Sequence, residues 1–236
     1  MGTAASFALI APELVLAVSS LLLVLAAAWG GDKAARLVTI LAVTALFAAG
    51  MLLWPVLHLG KVGPETYAFG DLLRADAFAG FAKALIYLAA IGCLVVTPHW
   101  FDRLRAMKPE YPVLVLLAAL GMSLMVSASD LLTLYLGLEL NSLAAYVLAA
   151  YLRNDSKSAE AGLKYFVLGA LASGILLYGM SLLYGFTGTT SFAGIREALE
   201  GEMSNGMLFG VIFVLAGLAF KIAAVPFHMW TPDVYE

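Results

Sequence analysis

"MLFGVIFVLAGLAFKIAAVPFHM", residues Met207–Met229, is apolar for almost its whole length, yet it carries a lysine, a proline and a histidine within eight residues. Crossing a bilayer takes about 20 mostly apolar residues, so the stretch is long enough to span. Lys221, Pro226 and His228 are the residues such a span should avoid. Pro226 lacks an N–H, and its ring clashes with the carbonyl four residues back, that of Ile222, so the helix is expected to break or kink there. Broken helices at membrane depth are tolerated where they line a hydrated cavity. The stretch therefore reads as a broken membrane helix with a polar purpose.

The rest of the chain agrees. Of its 236 residues, 63% are hydrophobic and only 12% charged, too apolar a surface for a water-soluble fold. Seven stretches can span, at 6–28, 37–58, 77–97, 112–128, 131–151, 162–184 and 207–229. The expected fold is an all-α polytopic membrane helix bundle of about seven transmembrane helices, the seventh broken. "SASD" between the fourth and fifth spans implies a tight helical hairpin. The long third connector, with alternating Tyr67 and Phe69, suits a short extended segment. "SFAGIREALEGE" fits either a short amphipathic surface helix or a plain loop.

Composition also excludes functions. A single cysteine, Cys93, rules out a disulfide framework and any iron–sulfur or multi-thiolate zinc site built from this chain alone. There is no Gly-rich nucleotide fingerprint, and a net charge of −3 without a basic run argues against nucleic acid. The N-terminus lacks the positive region of a cleavable signal. Lys33, Arg36, Arg103, Arg105, Lys108, Arg153 and Lys157 fall on connectors of one side, whereas Lys61, Arg74 and Arg196 fall on the other. This asymmetry places the N-terminus outside the cell. The remaining basic residues, Lys83, Lys164 and Lys221, lie within spans.

An ionisable residue inside a span is by default a functional hypothesis. Glu139 sits about two residues from the middle of the fifth span, or roughly 3 Å at 1.5 Å per residue. Lys221 sits about 5 Å from the middle of the seventh. A lysine stripped of water releases its proton more readily, and a nearby carboxylate restores its hold, so such a pair can work as a proton switch. The plainer alternative is a pair that only locks helix packing. Tyr135, Glu139, Ser142 and Tyr146 share one helical face, with hydroxyls flanking the central carboxylate. Lys164 lies a turn inside the sixth span, and His228 could relay protons along the break. Lys83 and Glu13 read as interfacial, and His58 and His99 as polar tips at span ends. Gly169, Ala172, Ser173, Gly174, Ala216 and Gly217 allow close helix approach or room for water.

Three blocks carry a resemblance: "DLLTLYLGLELNSLAAYVLAAY", "SAEAGLKYFVLGALASGILLYGMSLLYG" and "FKIAAVPFHMWTPDVYE". With the opening "PELVLAVSSLLLVL", they resemble the antiporter-like membrane subunits of respiratory complex I, the proton-pumping NADH:quinone oxidoreductase. The resemblance implies proton translocation driven by redox chemistry elsewhere, on an inverted-repeat fold. Residues 1–110 would form an N-terminal three-helix segment, and 111–236 the start of the antiporter-like repeat. It also implies that Glu139 pairs with Lys221, that Lys164 tunes the pair, and that His228 belongs to the broken helix. NADH, flavin, iron–sulfur clusters and quinone would bind other subunits. Partners would be the other membrane subunits of the complex, the antiporter-like ones especially, and the lipid bilayer of a bacterial inner membrane. The chain stops within a motif at "TPDVYE", as an N-terminal portion of a longer subunit would. The alternatives are a subunit of a multi-subunit sodium/proton antiporter, which shares the Glu/Lys logic, and a structural membrane anchor.

Overall fold

In a computed structural model, residues 3–57, 66–104, 106–201 and 203–235 are described; His58, Lys61, Glu65, Arg105 and Glu202 lie outside them. The elements are almost all helical: α1 (Thr3–Leu9), α2 (Ala11–Gly30), a 3-10 turn (Gly31–Ala34), α3 (Ala35–Met51), α4 (Trp54–Leu57), α5 (Ala77–Leu104), α6 (Glu110–Ser127), α7 (Leu131–Ala149), α8 (Ser156–Thr187), α9 (Phe192–Leu199), α10 (Asn205–Lys221) and α11 (Thr231–Tyr235). Two short strands, β1 (Tyr67–Ala68) and β2 (Leu73–Arg74), pair antiparallel between α4 and α5. The seven expected spans correspond to α2, α3, α5, α6, α7, α8 and α10. The helical stretch Ala11–Leu57 is divided by its 3-10 turn, where Gly31 adopts φ +54° and returns its N–H to the Ala27 carbonyl. α2 and α3 pack against one another across that turn.

Several boundaries differ from the sequence reading, and four of them have a clear local reason. α5 continues from the expected end at 97 to Leu104, running through Pro98 just after Thr97, whose hydroxyl donates to the Cys93 carbonyl at 2.6 Å. α8 begins six residues early because the Asp155 carboxylate accepts from the Ser158 N–H and caps it. It ends at Gly188, in a left-handed conformation (φ 72°) that suits glycine. The fourth difference is the largest: α10 stops at Lys221, not near Met229. Proline disfavours helix in the residue before it and removes a donor, so unwinding reaches back a full turn.

The expected short features are present. The third connector holds the β1–β2 hairpin, with Tyr67 opposite Arg74, and "SFAGIREAL" folds as α9. At "SASD" the Asp130 carboxylate accepts from the Leu132 and Thr133 N–H groups and starts α7.

The chain divides into two units, residues 1–128 with 136–144, and residues 129–135 with 145–236. In the first, Leu16, Val38, Leu46, Leu94 and Leu116 are fully buried, while Leu21, Phe47, Phe78, Leu88 and Val96 point outward. An apolar exterior of this extent is the surface a lipid solvent requires. In the second unit α8 and α10 pack along their length. A β-carbon at Gly217 would lie 2.6 Å from that of Leu176 and 3.1 Å from the Ala172 carbonyl oxygen, so the contact needs glycine. Gly174, which the sequence reading grouped with the small residues that allow close approach or room for water, has nothing within 4 Å and faces outward.

Gly217→Leu should therefore force α8 and α10 apart and cost about 1–3 kcal/mol. Gly174→Ala should stay within about 0.5 kcal/mol of the unchanged protein. Thermal unfolding of both variants in detergent checks the pair.

Candidate functional site

The site of the second unit is built where α10 ends. Lys221 is the last helical residue, half-buried, and the chain beyond it is non-helical until Thr231. The end is closed by backbone bonds: Ile222 N–H donates to the Leu218 carbonyl (3.2 Å), Ala223 N–H to Phe220 (3.1 Å) and Ala224 N–H to Ala219 (2.8 Å). Ala223 takes φ +53°, and the Val225–Pro226 peptide is cis. The unwound stretch is pinned at its far end by Trp230, only 4% exposed, which packs with Ala172 and Phe220. The Trp230 ring stacks on Tyr165 at 4.4 Å between centroids and 8° between planes.

Tyr165 meets Tyr146 edge-on at 4.6 Å, and the Lys221 ammonium donates to the Tyr146 hydroxyl at 3.1 Å. The same ammonium lies 5.7 Å from the centre of the Tyr146 ring, within cation–π range. Tyr146 is held in turn by Gly169, where any β-carbon would run into the phenol oxygen. These contacts fix the position of the lysine at the helix break.

Tyr146 belongs to the polar face of α7. Ser142 and Tyr146 are buried and Tyr135 and Glu139 half-buried, whereas Leu132, Leu136, Leu143 and Val147 on the other face are exposed. The stripe read from the sequence is thus the inward face of the helix. Glu139 falls in the first unit and Lys221 in the second.

Lys164 lies eight residues into α8 and is bonded by two carboxylates, Glu160 at 2.7 Å and Asp233 of α11 at 3.0 Å. It lines a cleft of about 460 Å³ with Leu163, Val167, Leu168, Met229, Trp230 and Asp233. Asp233 is a site residue the sequence reading missed; its signal was only a carboxylate following the break. His228 sits in the unwound stretch and is exposed. It follows Lys221 by seven residues, but no continuous helix joins the two. The Trp230 indole N–H and the Thr231 hydroxyl are buried without a hydrogen-bond partner among the described residues.

The first unit holds charges that the sequence reading misplaced. Glu13 and Lys83 were expected at the interface, but they are 5% and 1% exposed and form an ion pair at 2.5 Å. Each supplies what the other needs, so neither side chain has reason to reach for the membrane surface.

Residues 128–236 match the family described as NADH:quinone oxidoreductase/Mrp antiporter, TM. Over 98% of its length the chain is 72% identical to NADH-quinone oxidoreductase subunit N of Erythrobacter litoralis, covering 48% of that protein. Over its full length it is 60% identical to subunit N of Rhizorhabdus wittichii, again covering 48%. It aligns with a chain of respiratory complex I from Thermus thermophilus with bound aureothin at 32% identity and TM-score 0.74, covering 95% of this chain and 47% of that one. A chain of the Mrp complex from Dietzia sp. shares the fold (TM-score 0.75, 23% identity). The chain spans about half the length of the curated relatives it matches. The family match over residues 128–236 and the likeness along the whole chain agree: the chain resembles the antiporter-like subunit N of NADH-quinone oxidoreductase.

Proposed function

We propose that this chain is part of a membrane subunit of NADH:quinone oxidoreductase that translocates protons through Glu139, Lys221, Lys164 and His228. The observation that carries the reading is the Lys221 ammonium at the end of α10, bonded to Tyr146 on the same α7 face as Glu139. A lysine placed where a helix gives way inside an apolar segment has little reason to be there for packing alone. Tyr146, two turns from Glu139, can pass a proton along that face because its hydroxyl both donates and accepts. The buried Trp230 N–H and Thr231 hydroxyl, without partners among the described residues, are atoms that water would satisfy, and they support the reading of a hydrated break.

Lys164 would tune this pair. Its bonds to Glu160 and Asp233 link α8 to the short helix beyond the break, so the charge on Lys164 and the position of α11 depend on each other. His228, exposed in the unwound stretch, would take protons from the cytoplasmic side. The subunit would sit in a bacterial inner membrane with its N-terminus outside, beside other antiporter-like subunits. The redox groups would belong to other subunits, and electron transfer there would drive the exchange here.

Glu139→Gln in the assembled oxidoreductase should leave assembly intact and lower NADH-driven proton uptake into vesicles by about tenfold or more, the scale of a lost proton-transfer group. Uptake at the unchanged rate would overturn the role of Glu139. Lys221→Ala should likewise lower uptake with the complex assembled; loss of assembly alone would favour the structural anchor. Sodium-dependent transport without an electron donor would favour the antiporter.

A further inference from the structure

The first unit contains a buried polar cluster that the proposed proton path does not use. Glu13, in the first turn of α2, faces Lys83 of α5 and Ser123 of α6. The Ser123 hydroxyl donates to Glu13 Oε1 at 2.6 Å, and the Tyr87 hydroxyl lies 2.8 Å from the Ser123 oxygen. Ser123 has one hydrogen and gives it to the carboxylate, so Tyr87 must be the donor to Ser123. Tyr87, Ser123 and Glu13 thus form one directed chain ending on a single oxygen, and the Lys83 ammonium meets that oxygen too.

The other oxygen is different. Glu13 Oε2 is buried and has no hydrogen-bond partner among the described residues. A carboxylate with one oxygen doubly engaged and the other bare is expensive to bury, because the bare oxygen has lost its water and gained nothing in return. Nothing about locking helices together requires that asymmetry. A proton on Oε2, or a water against it, removes it. One turn along the same face of α6, the Ser127 hydroxyl is also buried and without a partner among the described residues, which is the spacing a water-bearing column would use.

Among the described residues of α1, α3 and α6, no other ionisable side chain competes for this position. α1 has none, and α3 has only Arg36, at its far end from Met51. On α6 the ionisable residues are Glu110 and Tyr111; Glu110 is thirteen residues from Ser123, about 20 Å along the axis. Asp76 precedes α5 by one residue, where it bonds Arg74 at 2.8 Å and the Ala79 N–H at 2.8 Å. It therefore has its own partners.

We propose that Glu13, Lys83, Ser123 and Tyr87 form a second buried protonatable site, hydrated at Glu13 Oε2, within the N-terminal helices. Its ligand is a proton together with the water that carries it, taken up at the bare oxygen while Lys83 and Ser123 hold the other.

The test is a pH-step infrared difference spectrum of the full-length protein in phospholipid vesicles, with no electron donor present. The expected result is a carboxylic C=O band that disappears in Glu13→Gln and moves in frequency in Ser123→Ala. A water O–H band sensitive to heavy-oxygen water should accompany it. Spectra of Ser123→Ala that superimpose on those of the unchanged protein would overturn the proposal, and that variant decides the matter even if Glu13→Gln fails to accumulate. Because no transport is measured, a negative result for Glu139→Gln in the pumping assay leaves this test standing.

Discussion

Inside a bilayer there is no water to satisfy a polar group left over, so every donor, acceptor and charge must find its partner within the protein. This constraint explains why α10 can end at Lys221 at all. The last turn of a helix leaves carbonyls without intrahelical partners. Here those of Leu218, Ala219 and Phe220 are taken up by Ile222, Ala224 and Ala223 as the chain turns, with Ala223 in a positive-φ conformation. The unwound stretch then makes its own closures, Phe227 to Ala224 and Thr231 to His228. Trp230 holds the far end through an aromatic stack, which needs no hydrogen bond. The backbone of the break thus makes its own closures, and the Lys221 side chain is met by Tyr146.

The same constraint decides how charges are held. Exposed ion pairs are worth little, whereas a buried charge must be met by an opposite charge and by hydrogen bonds. Lys164, half-exposed between Glu160 and Asp233, belongs to the first kind, so its pairing reports position more than stability. Glu13 and Lys83 belong to the second, and their enclosure by Ser123 and Tyr87 is what makes the pair tolerable. Lys221 lies between these cases. One of its partners is a neutral phenol, which can both give and accept a proton.

Much of this was legible in the sequence, because apolar length and the 3.6-residue period are properties of single segments. The spans, the hairpin at "SASD" and the inward face of α7 all follow from counting along one helix. Glu13 and Lys83 were misread because a residue near the end of an isolated span can always be imagined reaching for water. Only the packing of α2, α5 and α6 brings the two together and closes that route. The end of α10 was misplaced for a related reason: proline marks where a helix cannot continue, but Trp230, anchored against α8, favours stopping a turn sooner. Asp233 gave only the weak signal of a carboxylate after the break, because its partner Lys164 is 69 residues away.

Tyr146 shows how a residue with no charge comes to organise charged ones. It accepts from Lys221, packs edge-on against Tyr165, and through Tyr165 touches the ring that anchors the unwound stretch. Gly169 leaves no room for it to move toward α8. A shift of the unwound stretch would therefore act through Trp230 and Tyr165 on the ring that holds the ammonium. Coupling of this kind needs two discrete arrangements of a packed element, and a short segment free of helical bonds, pinned at Lys221 and at Trp230, is where the second unit can supply them.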